Sequence, residues 1–204
     1  MSFLQKLMAK PWEHAGEMEG IHGENAVGKP AGRTGLYLFL AVISSMFLLF
    51  SISHHMRAAY PDWKAVAEPS ILWFNTGILV LASICLQIAR NTAVRAAYGA
   101  MRNSLLAGGL LTVIFIAGQL VAWRQMLNAG FYAADNPANA FFYMFTAVHG
   151  LHLLGGLWFL FVAIRRAVKK PEDTDLATRI GLCATYWHYL LLVWVVLFYL
   201  LLSS

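Results

Sequence analysis

Five runs of the chain are apolar and free of Asp, Glu, Lys and Arg: residues 36–53, 71–89, 105–123, 141–164 and 182–202. A helix rises about 1.5 Å per residue and a bilayer core is about 30 Å thick, so about 20 apolar residues cross it. Each run therefore predicts one transmembrane helix. The runs lack the strict alternation of a barrel strand and are longer than such a strand needs. The predicted helices cover about 34–55, 71–90, 104–125, 140–165 and 178–203, forming one five-helix domain over 33–204. Residues 1–32 carry no apolar core of their own; glycine and charges of both signs predict a flexible polar arm.

Composition agrees with a lipid environment. The 204 residues are 59% hydrophobic and 12% charged, against roughly 45–50% and 25% in soluble domains. The net charge of +5 is not a nucleic-acid surface, because its placement follows the spans. Twelve cations (Lys6, Lys10, Lys29, Arg33, Arg90, Arg95, Arg102, Arg165, Arg166, Lys169, Lys170 and Arg179) fall on one side of the alternating segments. Arg57, Lys64 and Arg124 fall on the other. The positive-inside rule then predicts a cytoplasmic N-terminus and an external C-terminus. Two cysteines, Cys85 and Cys183, sit in apolar runs and read as small fillers; there is no CxxC and no zinc spacing.

The ten carboxylates all lie outside the spans. The chain thus has no lipid-embedded acid with which to relay protons or catalyse hydrolysis. The histidines His149, His152 and His188 are inside, with Asn75, Thr76 and Gln119. His149 and His152 lie three residues apart, on one helix face near mid-bilayer. Two readings of these rings compete: ligation of haem or metal, which imidazole suits, and neutral hydrogen bonding that locks helices together. Ligation needs a matching histidine on a facing helix or further ligands, and the pattern favours packing. Gly150, Gly155 and Gly156 beside the histidines, and Gly108, Gly109 and Gly118 on the third helix, read as close-approach positions. His54 and His55 end the first helix and read as solvated interface residues.

In several places the residues resemble subunit III of the haem-copper oxidases. The fourth helix carries Thr146, His149-Gly150-Leu151-His152 and Gly155, similar to that family's signature on this helix. The fifth carries Trp187-His188-Tyr189 and Trp194, the second Pro69, Leu72 and Asn75-Thr76 with added spacing after Leu72, and the third Gln119 with Trp123. The resemblance runs in order from Gly32 onward. Three acids of the family pattern are absent: their places fall at Ile43, Ala122 and Leu191. Any proton-handling role of those acids does not carry over.

The resemblance implies a short, five-helix bacterial form, in the inner membrane, with a lipid-filled V-shaped cleft between helices 1–2 and 3–5. It implies a non-catalytic chain without its own cofactor, beside subunits I and II that carry haem and copper. Such a complex takes electrons from cytochrome c or quinol to oxygen and pumps protons; subunit III stabilises the catalytic subunit and supports proton uptake. By position, Arg166 matches a family arginine that grips a lipid phosphate, as charge-assisted hydrogen bonding allows. The alternatives are an accessory subunit of a nitric oxide reductase and an independent His-ligated redox protein.

Overall fold

The computed structural model of the chain describes residues 28–64, 69–173 and 175–203. Five long helices follow one another: α1 (Gly28–Ala58), α2 (Ile71–Val94), α3 (Tyr98–Asn128), α4 (Pro137–Lys169) and α5 (Leu176–Leu202). There are no strands among the described residues. All five helices are long and apolar enough to cross a membrane. Most of the 1–32 arm lies outside the described residues. Its last residues, from Gly28, already belong to α1.

The helices outrun the apolar runs that announced them. Helix α3 starts at Tyr98 rather than near 104, and α4 continues to Lys169 through Arg165 and Arg166. Backbone groups near the bilayer surface are still best satisfied within the helix. Met, Arg and Lys are good helix formers, so charge does not end one. The α2–α3 connection is three residues long, with Ala96 in the left-handed region at φ 55°. Helix α3 ends on Gly130 (φ 83°), and the Phe131 N–H returns to the Met126 carbonyl. Asn136 caps α4 by accepting from the Ala138 N–H at 3.2 Å, with Pro137 in the first helical turn.

The chain divides into two units, Met1–Phe39 and Leu40–Ser204. In the first, the helix from Gly32 to Phe39 presents exposed Tyr37, Leu38 and Phe39. In the second, α2 packs along α3 and also against α5, while α4 packs against both α3 and α5. The expected grouping of helices 1–2 facing helices 3–5 across a V is therefore not what the fold contains. The reason is local. Leu86 of α2 packs onto Gly108, and the Asn75 side chain lies directly against Gly118, so α2 and α3 close together with no room for lipid.

From Leu40 to Ala58, α1 makes no close backbone approach to the other helices. Long side chains bridge the space. Ser44 Oγ and Tyr189 Oη are 2.8 Å apart. The Phe47 and His152 rings lie 5.7 Å apart, and those of Phe50 and Phe145 lie 6.4 Å apart. Near the end of α1, His54 packs edge-on against Trp63 at 5.0 Å and Phe141 at 5.3 Å. His54 is only 2% exposed, which corrects the expectation that it is solvated; the aromatic side chains of α4 and of the loop close over it. Beyond α1, the Asn136 amide clasps the Lys64 backbone, donating to its carbonyl at 2.6 Å. The Asp62 carboxylate accepts from Arg57 at 2.7 Å, and this bond holds the Asp62 carboxyl below its usual range.

Candidate functional site

Polar side chains inside the four-helix packing of α2–α5 form a repeated contact. Trp194 Nε1 donates to Thr76 Oγ at 2.9 Å, tying α5 to α2. Trp187 Nε1 donates to Thr112 Oγ at 3.1 Å, tying α5 to α3. Trp123 Nε1 donates to Thr146 Oγ at 2.9 Å, tying α3 to α4. Each threonine sends its own hydroxyl proton back four residues: Thr76 to Leu72, Thr112 to Gly108 and Thr146 to Phe142, at 2.7–2.8 Å. The indole has one donor and no acceptor, and the threonine oxygen has a lone pair left. Every atom in these three latches is therefore satisfied. Tyr186 adds a fourth tie, its hydroxyl donating to the His152 carbonyl at 3.0 Å.

Helix rotation decides which residues can do this. Trp187 and Trp194 are seven apart, two turns along one face of α5, and both are fully buried. Trp187 lies over Gly156 of α4, where an added Cβ would be 3.0 Å from its ring and 2.6 Å from Tyr186 Cε1. Gly150 and Gly155 have nothing within 4 Å of such a Cβ. They are not close-approach positions; Gly156, Gly108 and Gly118 are, and Gly109 meets Leu160 and Ile164 at ordinary contact distance.

The three membrane-embedded histidines have three different settings. His149 is fully buried, with Phe115 edge-on at 6.1 Å and Trp194 at 5.2 Å, and neither ring nitrogen has a hydrogen-bond partner. His152, one turn on, turns toward α1 instead: its Nδ1 donates to the Val148 carbonyl at 2.7 Å and its ring meets Phe47. Sharing a helix face by spacing did not bring the two rings into one environment. His188 bridges α5 to α2, with Ser83 Oγ at Nδ1 and Gln87 Oε1 2.9 Å from Nε2. Asn75 and Gln119 are buried like His149, and none of their side-chain polar atoms has a partner. Among the described residues, no three His, Cys, Asp or Glu side chains gather as metal ligands do.

Of the positions where the family acids are missing, Ile43 and Ala122 are buried, at 2% and 0% exposure. Arg166 is exposed in the last turns of α4. Thr112, Gln87, Tyr186 and Asn136 were not singled out from the sequence. The only signal for Thr112 was a threonine one turn beyond Gly108, and this sets it apart from no other membrane threonine.

The fold and its latches define a multi-pass membrane protein whose bundle is joined helix to helix by tryptophan, threonine and tyrosine. Comparison supplies the family. Residues 7–203 match the family Cytochrome c oxidase subunit III, and the chain belongs to it. It is similar to the cytochrome bo(3) ubiquinol oxidase subunit 3 of Pseudomonas aeruginosa, 24% identical over 179 residues, covering 87% of this chain and 86% of that protein. It is also similar to the cytochrome c oxidase subunit 3 of Synechocystis sp., 30% identical over 197 residues, covering 91% and 79%. The cytochrome c oxidase subunit 3 of Bacillus subtilis is 22% identical over 203 residues, covering 97% and 95%.

Proposed function

We propose that the chain is the non-catalytic subunit III of a bacterial haem-copper terminal oxidase, in the cell membrane, beside subunits I and II. Those partners hold the haem and copper and reduce oxygen with proton pumping. This chain braces the catalytic subunit, prolongs its working life and supports proton uptake. The observation that carries the reading is the family match over nearly the whole chain, on a bundle whose family-motif residues Thr76, Thr146, Trp187 and Trp194 are engaged in helix-to-helix bonds. Side chains so engaged brace, since their only N–H or O–H donor is already spent within the bundle. The electron donor is cytochrome c or quinol, since the relatives' names include both kinds of oxidase. Arg166, exposed at the end of α4, binds a phospholipid phosphate.

The test is a mild-detergent pull-down of the tagged chain with mass spectrometry and a reduced-minus-oxidised spectrum. The expected result is co-purification of an oxidase subunit I with its haem spectrum. A nitric oxide reductase in its place would move the chain to that complex. A stoichiometric haem or metal in the chain purified alone would overturn the reading in favour of a His-ligated redox protein.

A further inference from the structure

Buried polar atoms without partners gather at one level of the bundle. Asn75 of α2, Gln119 of α3 and His149 of α4 are 0%, 6% and 0% exposed, and none of their six side-chain nitrogen and oxygen atoms has a hydrogen-bond partner. The latches fix their level. Trp123 is bonded to Thr146 and Phe115 meets His149 at 6.1 Å, so α3 and α4 run antiparallel. From the Trp123–Thr146 bond, Gln119 lies four residues back along α3 and His149 three residues on along α4. These steps are about 6 and about 4.5 Å in the same direction. Asn75 lies directly against Gly118, the residue before Gln119. Its neighbour Thr76 is bonded to Trp194, whose ring is 5.2 Å from that of His149.

At such burial neither lipid nor another polypeptide reaches these atoms, and buried polar groups in proteins are almost all paired. Their chemistry says what completes them. Each amide brings two N–H donors and an oxygen acceptor, and the neutral imidazole brings one donor and one acceptor. A cation would use the acceptors and leave the N–H groups unmet; an anion would do the reverse. No span holds a carboxylate to balance a cation. A small molecule that both donates and accepts serves all three side chains. Water does so, and a buried water typically makes about three hydrogen bonds. The rings beside His149 do not compete for it: Phe115 has no polar atom, and the Trp194 indole N–H is committed to Thr76.

We propose that this level of α2, α3 and α4 is a water-binding site, where one or more ordered water molecules bridge Asn75, Gln119 and His149 inside the bundle. The site is internal to the chain and independent of which complex the chain joins. Gly118 brings no side chain into the place where the Asn75 amide meets α3. Trp187, two turns from Trp194 on the same face of α5, marks a level where no such water belongs. It is equally buried, at 0% exposure, and the polar groups there are met: its Nε1 by Thr112, and the Tyr186 hydroxyl by the His152 carbonyl.

X-ray radiolysis of the full chain in lipid nanodiscs tests it, because a bound water yields a hydroxyl radical that oxidises the nearest side chain. With mass spectrometry as the readout, Trp194 and His149 are expected to gain oxygen while Trp187 does not. A companion variant, N75L with Q119M, removes four of the six polar atoms with little change in volume. It is expected to lose the labelling of Trp194. Unlabelled Trp194 and His149 in the wild-type chain would overturn the proposal and mean that the polar side chains pair with one another. Equal labelling of Trp194 and Trp187 would also overturn it, since water would then enter the bundle without a site. Labelling of Trp194 that persists in a folded double variant would do the same. If the variant does not fold, the contrast between Trp194 and Trp187 in the wild-type chain decides alone.

Discussion

Replacing Gly156 by alanine, with Gly155→Ala as the matched control, isolates the closest contact between α4 and α5. The new Cβ at position 156 would lie 2.6 Å from Tyr186 Cε1 and 3.0 Å from two ring carbons of Trp187. Carbon atoms prefer about 3.5–4.0 Å, so the rings must withdraw by about 1 Å. They are poorly placed to do so: Trp187 is held by Thr112 and Tyr186 by the His152 carbonyl. Overpacking of this kind costs about 1–3 kcal/mol. Position 155 has nothing within 4 Å of its added Cβ. Both changes remove a mid-helix glycine and gain about 1 kcal/mol of helix propensity, which cancels between the two variants. The expected gap between them is therefore about 1–3 kcal/mol, with Gly155→Ala at or above wild type. Thermal unfolding in mild detergent, followed by tryptophan fluorescence, reads this as roughly 2–12 °C at 2–4 °C per kcal/mol. Equal melting of the two variants would refute the argument that ring-on-glycine packing joins α4 to α5.

Trp194→Phe and Thr76→Val, made singly and together, should show a coupling of about 0.6 and at most about 1.7 kcal/mol in a double-mutant cycle, the range for hydrogen bonds between membrane helices; strictly additive melting shifts would mean that the bond does not contribute. Asn136→Ala removes the cap of α4 and the clasp on Lys64 together and should cost about 1–2 kcal/mol. It should also speed proteolysis of the segment after α1; unchanged melting and cleavage would contradict both roles. Arg166→Ala should lower the phospholipid retained per chain after purification, measured by native mass spectrometry, and equal lipid in the two proteins would remove the head-group assignment.

The five helices could be read from the sequence because crossing a bilayer is a length requirement that apolar runs state directly. Their ends could not, because Arg102, Arg165 and Lys169 are compatible with both helix and loop. The partnering of helices was also beyond it. The glycines of α3 and α4 were visible, but whether a glycine meets a ring or faces outward depends on a rotation that neighbouring positions 155 and 156 cannot reveal. The V between helices 1–2 and 3–5 came from the family resemblance, and the contacts of Leu86 and Asn75 with α3 replace it. His54 was misplaced for a similar reason: a histidine at a helix end reads as solvated until Trp63 and Phe141 are seen to enclose it.

The latches explain how a bundle without embedded acids acquires a definite arrangement. In lipid, one apolar side chain is as good a neighbour as another, so apolar contact alone does not choose which helices pair. Close approach and closed hydrogen bonds do. Tryptophan with threonine suits this purpose, because the threonine hydroxyl proton goes to its own helix and the indole N–H goes to the threonine oxygen, leaving no donor unpaired. Asn75, Gln119 and His149 are the opposite case. Each brings donors and acceptors into the interior, and none of these atoms has a partner. Such groups destabilise unless something completes them. They mark the interior of α2, α3 and α4 as the part of the bundle where polarity exceeds what helix packing uses.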